Sequence, residues 1–374
     1  MVDASVEPAP EVGDVASVGS APLGTRIVRS EAVRFVLPLV IAIVAISLYT
    51  NADNARFLSA DNIENILLQV SVLGIIAVGQ TFLVAAGQLD LSVGMLAALA
   101  GVIGATRVSD GGSELWAVVL VLVICALIGL VWGALVAGLR IPPFILTLGG
   151  MSLFASLALR ISKSSPVPAR ERFEWLGRHD VLGVQSPVWF FVIVTVGAAI
   201  VMRYTRFGRH VYATGSAEEA AYLAGIPTAR TKVLCFVISS TLAGFAGLIG
   251  MARISTGDPR VGGQYALQAI AAVVLGGASL AGGRGSPVGT FVGVVLLGVV
   301  QAALTFNNVQ TYWNDAVFGA VLIFAVIVTA VSDLRRNRSS GRSALSRLAR
   351  SRPAQFTTTA GDSSVEPKQG ETTE

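Results

Sequence analysis

Ten apolar segments follow one another between residues 32 and 332, and the nine that begin at Ile66 or later hold one acidic residue, Asp315 at a segment end, and no histidine. They cover residues 32–50, 66–86, 91–106, 115–138, 142–160, 187–204, 231–252, 265–281, 286–306 and 315–332. About 20 apolar residues in helical form cross the hydrocarbon core of a bilayer. Lipid offers no partner to backbone N–H and C=O groups, so such segments must be helices that satisfy those groups internally. The pattern predicts an all-α, polytopic helical membrane protein with about ten transmembrane helices, the third and eighth of them short. Composition agrees: 53% of the 374 residues are hydrophobic and 13% are charged, against ~25% charged in soluble domains. These figures exclude a soluble globule, a disordered chain and a disulfide scaffold. Cys125 and Cys235 lie in separate apolar runs without an acid or histidine beside them. They pattern as core residues, and no metal site is readable.

The flanks have another character. Residues 1–30 are rich in Ala, Pro, Gly and Ser, and carry Asp3, Glu7, Glu11 and Asp14 with no basic residue before Arg26. That is the reverse of a signal peptide, and the segment reads as a disordered cytoplasmic tail. The membrane domain spans 31–333, with a polar loop at 205–230. Residues 334–374 open on Arg335, Arg336 and Arg338 and continue polar, which predicts a second cytoplasmic tail able to touch anionic lipid. The net charge of +4 gathers beside the ends of apolar segments, where it reports orientation and not nucleic-acid binding. With the N-terminus inside, 18 of the 27 Lys and Arg residues face the cytoplasm, so both termini are assigned there. Loop 161–186 runs against this trend, with Lys163, Arg170, Arg172 and Arg178 outside.

A repeat is visible within the membrane domain. Asp90, Val93, Gly94, Ala98 and Leu99 recur as Asp258, Val261, Gly262, Ala266 and Leu267, at an offset of 168 that also relates Ser71 to Ser239 and Gly79 to Gly247. Five spans separate the copies, so they run through the bilayer in opposite directions. Two inverted five-helix repeats are the architecture by which many transporters alternate access.

Chemistry-bearing residues are few. The spans lack the buried ionisable groups of a proton or sodium relay and the acid pairs or metal ligands of a membrane enzyme. The glycine-rich run 276–285 never reaches the phosphate-binding pattern G-x-x-x-x-G-K-[ST]. The chain is therefore expected to bind no cofactor and to hydrolyse no ATP, so that uphill transport draws energy from another subunit. Two roles stay open for Asp90: capping the short helix that follows, or contact with a solute. Gly87 and Gly94 permit a sharp break around it, and Ser92 lies between. Gln80, Gln88, Gln264 and Gln268 are uncharged hydrogen-bonding groups suited to a path for a polar neutral solute, or else to helix–helix hydrogen bonds.

In the 205–230 loop, Ser216, Ala217, Glu218, Glu219, Ala220, Ala221, Tyr222 and Leu223 precede Gly225 and Pro227. Ser216 and Glu219 have capping-box spacing, and Gly225 supplies a stop. The reading is a short cytoplasmic helix with an alanine face and apolar anchors at Tyr222 and Leu223, made to dock a soluble partner. Ala221→Glu is expected to uncouple it without preventing membrane insertion.

The motifs Gly79-Gln80-Thr81-Phe82, Leu89 to Gly94, Ile141 to Gly149, Thr205 to Arg209, Ala217 to Ile226 and Ala269 to Gly285 occur in an order that resembles the membrane subunit of bacterial ribose-type ABC importers. The likeness covers about residues 60 to 333. It departs at Gln88, where the family commonly has a second glycine. Branched-chain amino-acid permeases share the general fold. The resemblance implies a permease of the bacterial cytoplasmic membrane in which two such subunits form the pathway, a cytoplasmic ATPase docks on residues 216–225, and an extracytoplasmic binding protein delivers a monosaccharide. The alternative from the residues alone is an ion-coupled secondary transporter of a small polar solute.

Overall fold

The computed structural model describes residues 31–327 except 171, 311, 314, 315, 322 and 325. The expected tails over 1–30 and 334–374 lie outside the described residues, and the tenth apolar segment lies partly outside them. The helices are α1 (Glu31–Asp53), α2 (Ala60–Ala85), α3 (Val93–Ser109), α4 (Glu114–Gly138), α5 (Pro143–Ile161), α6 (Glu174–Gly177), α7 (Ser186–Tyr204), α8 (Arg206–Ser216), α9 (Glu218–Leu223), α10 (Thr228–Ile254), α11 (Tyr265–Leu275) and α12 (Pro287–Phe306). Among the described residues, seven helices are long and apolar enough to cross a membrane: α1, α2, α4, α5, α7, α10 and α12. The apolar helices α3 and α11 are shorter. The chain is a multi-pass helical membrane protein.

Local chemistry sets the ends. Ser59 caps α2 by accepting the Asn62 N–H at 3.3 Å. Pro143, Pro187 and Pro287 occupy the first turns of α5, α7 and α12, where a missing N–H has no consequence. One expected element is shorter than its apolar run: α11 ends at Leu275 instead of near residue 281. The glycine pair that follows breaks it, with Gly277 at φ +92°.

Helix α2 is the central post, buried without interruption from Val70 to Ala85. It packs against α7, α10, α11 and α12, and α10 in turn lies along α3 and α4. Large apolar side chains such as Leu127, Val131, Ile145, Leu153 and Ile193 are exposed, as lipid-facing surfaces require. Helices in lipid associate through close packing of small residues more than through the hydrophobic effect. Gly129 is such a residue: a Cβ there would stand 2.6 Å from the Phe236 carbonyl oxygen on α10.

The all-α expectation is modified in the loops, where four two-residue strands occur among the described residues: β1 (Val167–Pro168), β2 (Asp180–Val181), β3 (Val184–Gln185) and β4 (Thr256–Gly257). Antiparallel β1 and β4 join loop 161–186 to the segment after α10. Strands β2 and β3 form a tight hairpin through Leu182 and Gly183. Backbone that leaves a helix must find partners elsewhere, and these pairings supply them.

Candidate functional site

The buried polar centre lies in the turn between α2 and α3. Ala86 closes α2, Gly87 takes φ +72°, and the Gln88 and Gly87 N–H groups donate back to Leu83 and Val84 at 2.8 and 3.0 Å. This is the Schellman arrangement, in which one glycine supplies the left-handed residue. Gln88 itself is not left-handed, so the departure from a second glycine leaves the turn intact.

The chain then passes Asp90 in a turn that side chains from three helices hold. Gln80 of α2 donates through Nε2 to the Asp90 carbonyl. Asp90 Oδ1 accepts the Ser92 N–H at 2.7 Å and the Ser92 hydroxyl at 2.6 Å. Trp132 of α4 donates through Nε1 to Ser92 Oγ at 3.2 Å. Thr147 of α5 accepts the Leu91 N–H at 3.1 Å and donates to the Pro143 carbonyl at 2.8 Å. Gln80, Asp90, Ser92 and Thr147 are all fully buried. In a fully buried site an unmade bond costs the desolvation penalty of the group, so the turn behaves as one unit tied to three helices.

The geometry revises the expected cap. Ser92, not Asp90, is the N-cap residue of α3, and its side chain makes no capping bond. Asp90 closes a turn two residues earlier. Its Oδ2, with Gln80 Oε1 and Gln88 Oε1, has no hydrogen-bond partner among the described residues. Gly94 abuts the Gly262 carbonyl, and a Cβ there would stand 3.3 Å from the Ala266 N–H nitrogen. Gln264 and Gln268 are not brought into this centre. They sit one turn apart at the start of α11, more exposed, with Gln268 Nε2 donating to Gln264 Oε1 at 3.4 Å.

The 205–230 loop contains two helices where one was expected. Thr205 caps α8, accepting the Gly208 N–H at 3.2 Å, and Ser216 is its last residue. Ala217, extended at φ −162°, is the joint and the N-cap of α9, with no side-chain capping bond. The expected capping box is therefore absent, because Ser216 is committed to the preceding helix. The stop stands: Gly225 takes φ +80°, and the Ile226 N–H donates to Ala221 at 3.0 Å. Glu218 Oε1 pairs with Lys232 Nζ of α10 at 2.6 Å. Ala221 is buried against the domain, whereas Tyr222 and Leu223 are 69% and 80% exposed and Ala220 is exposed too. The expectation for Ala221→Glu changes accordingly, since that side chain faces inward and a carboxylate would first disturb the seat of α9.

The two regions meet. The Gly283 N–H donates to the Ala85 carbonyl at 2.9 Å. A Cβ on Gly215, next to α9, would collide with that same carbonyl and stand 2.6 Å from the Gly283 nitrogen. Gly282, at φ +87°, packs on Gly87 and Gly215. Three backbones thus cross with no side chain between them. Tyr212 of α8 braces the crossing by donating to the Gly285 carbonyl at 2.7 Å, and its burial raises the phenol pKa. Beside the crossing a cleft of about 870 Å³ is lined by Gln88, Arg140, Pro142, Tyr222 and Lys232.

Thr147, Trp132, Lys232 and Gly215 are the participants that sequence reasoning missed. Thr147 was visible inside the Ile141–Gly149 motif, and Trp132 as a lone N–H donor in an apolar helix. Nothing local marked Gly215.

A bundle with large apolar side chains exposed on its helices, one buried polar turn and an exposed helix on a polar loop is the architecture of a multi-pass membrane protein. The chain belongs to the family described as branched-chain amino acid transport system / permease component, whose model matches residues 62–326. It is 39% identical over 293 residues to the ribose import permease of Escherichia coli, covering 77% of this chain and 91% of that protein. It is 37% identical to the L-arabinose ABC transporter permease of Azospirillum brasilense, covering 75% and 83%. The xylose transport system permease of Escherichia coli is 31% identical, covering 80% and 93%. No solved structure gives a significant match.

Proposed function

We propose that the chain is the membrane-spanning permease subunit of an ATP-driven ABC importer for a monosaccharide, a ribose-like pentose, a hexose or a related polyol. The observation that carries this reading is similarity along nearly the whole length of a ribose import permease, with arabinose and xylose permeases alongside. A second permease subunit completes the pathway, an extracytoplasmic binding protein delivers the sugar, and a cytoplasmic ATPase hydrolyses ATP. Both termini lie in the cytoplasm of a bacterial inner membrane.

The ATPase docks on α9. Support comes from Tyr222 and Leu223, large apolar side chains that stand exposed on a polar loop. Movement of α9 reaches the Gln88–Ser92 turn through the crossing at Gly215, Gly282 and Ala85, where backbones in contact cannot slide independently. Gln80, Gln88, Asp90, Ser92 and Gly94, with Gln264 and Gln268, are the pathway or gate residues in this reading. Ten spans in two inverted repeats complete the reading, supported by the contact of the repeat-related pair Gly94 and Gly262.

The test is radiolabelled monosaccharide uptake into proteoliposomes that contain this chain, an ATPase subunit and a binding protein. Uptake that needs ATP and the ATPase is expected. Equal uptake driven by an ion gradient without the ATPase overturns the reading in favour of a secondary carrier.

A further inference from the structure

Loop 161–186 works against the charge pattern of the rest of the chain. Helix α7 starts at this loop and ends at the polar loop that carries α9, so the two loops sit at opposite ends of one helix. With α9 in the cytoplasm, Lys163, Arg170 and Arg178 stand on the extracytoplasmic side, where the orientation bias disfavours cations. All three are exposed, as is Arg260 after α10. Among the described residues none of the four forms an ion pair. The acids nearby are engaged elsewhere: Glu114 takes Arg172 and the Trp175 N–H, Asp180 Oδ1 accepts the Gly183 N–H at 2.8 Å, and Asp258 Oδ1 accepts the Arg260 backbone N–H at 2.9 Å. Glu174 is exposed.

The four cations surround the end of α10 on a fixed frame. The Ala169 N–H, next to Arg170, donates to the Ser255 carbonyl at 2.8 Å beside the β1–β4 pair. Gly177, next to Arg178, lies so close to α10 that a Cβ there would stand 2.6 Å from the Arg253 nitrogen. Arg260 donates to the carbonyl of Ser164, the neighbour of Lys163, at 3.5 Å. Phe173 and Leu176 anchor the loop by full burial. The backbone that carries the charges is therefore in place before any partner arrives, which spares the ordering cost of association.

We propose that this ring of cations is the surface on which the extracytoplasmic binding protein docks, meeting it with carboxylates. The inference rests on the permease reading and names the face and the chemistry of that contact. A neutral sugar has no charge for four cations to attract. A soluble protein with acidic groups does, and opposite charge speeds its encounter and fixes its orientation. Anionic lipid fits less well. Helix α10 packs against α2, α3 and α4, and Ala252 near its end is fully buried, so the ring lies over the interior of the bundle and away from its lipid-facing perimeter.

The probe is the binding protein that supports uptake in the proteoliposome experiment, loaded with its sugar, and the permease–ATPase complex is held in nanodiscs of zwitterionic lipid. The triple variant Lys163→Glu, Arg170→Glu and Arg178→Glu is expected to slow association about tenfold or more, with the deficit shrinking as salt rises from about 50 to 500 mM. Arg56→Glu, an exposed cation before α2 at the same end of the bundle, is the control and is expected to leave association unchanged. Should the triple variant fail to insert, Arg260→Glu decides, with an expected slowing of about threefold. An unchanged association rate in the deciding variant, an equal deficit in Arg56→Glu, or a deficit confined to nanodiscs that contain anionic lipid overturns the docking surface and leaves the permease reading standing. Absence of ATP-dependent uptake by the wild type breaks the permease reading itself.

Discussion

The turn after α2 and the helix α9 end their helices in the same way and are otherwise opposites. Gly87 and Gly225 both take left-handed φ, and the residue after each donates back across the last turn of its helix. Beyond that glycine, the Gln88–Ser92 turn is enclosed and tied to α2, α4 and α5 by side-chain bonds. Helix α9 has one ion pair to α10, one buried alanine, and two large apolar side chains turned outward. The difference follows from solvent. Where side chains are fully buried, the polar groups that bond to one another join their helices, and here those bonds tie the turn to three of them. Where water is present, a loop can leave an apolar face open for a partner, and exposed aromatic and aliphatic anchors are what interfaces use.

If the turn is the tied member of this pair, removing its centre has the largest effect. Asp90→Ala strands the Ser92 N–H and hydroxyl in a buried site and is expected to cost about 2–3 kcal/mol, read as a lower melting temperature in detergent. Asp90→Asn keeps an acceptor and is expected to retain most of that stability. Equal loss in both variants would assign the charge, and not the turn, as the essential feature.

The crossing that joins the two regions comes next. Gly215→Ala forces the Ala85 backbone to move, an overpacking cost of ~1–3 kcal/mol, and is expected to leave ATP hydrolysis running while sugar uptake falls. Uptake and hydrolysis that fall together would show that the crossing holds the fold and does not transmit movement.

On α9 the effects are smaller and local. Leu223→Ser is expected to weaken ATPase binding by about tenfold, ~1.4 kcal/mol, with the melting temperature of the isolated permease unchanged. Ala221→Glu is the contrasting variant, lowering that melting temperature because its side chain faces inward. The smallest effect belongs to Glu218→Gln. Its carboxylate side chain is half exposed but that of Lys232 is only 11% exposed, so loss of the pair takes the counter-charge from a largely buried ammonium and is expected to cost about 1 kcal/mol, less in high salt.

Much of this was legible from residues alone. The stop at Gly225, the break at Gly87 and the start of α12 at Pro287 are local events, written in residues that fix their own φ or lack an N–H. The end of α11 was not placed correctly, because residues 276–281 are apolar enough to continue a span and only their glycines argue otherwise. The role of Ser216 was misjudged for a related reason: S-x-x-E spacing marks a possible cap but cannot show that a preceding helix already holds the serine. Gln264 and Gln268 were grouped with Gln80 and Gln88 by type, and the fold separates them by burial.

By itself, then, the sequence determined that this chain lives in a membrane, that its spans are helical, and that its motifs resemble those of an importer permease. The first two follow from apolar length and backbone hydrogen bonding, which need no distant contacts, and the third from resemblance to a family. Only the tertiary structure decided that Asp90 closes a turn held by Gln80, Trp132 and Thr147, that Gly215 meets Ala85 and Gly283, and that loop 161–186 pairs with the segment after α10. These pairings join residues far apart in the chain through packing of small side chains and bare backbone. Such contacts have no periodicity or spacing, so they exist only once the helices have come together.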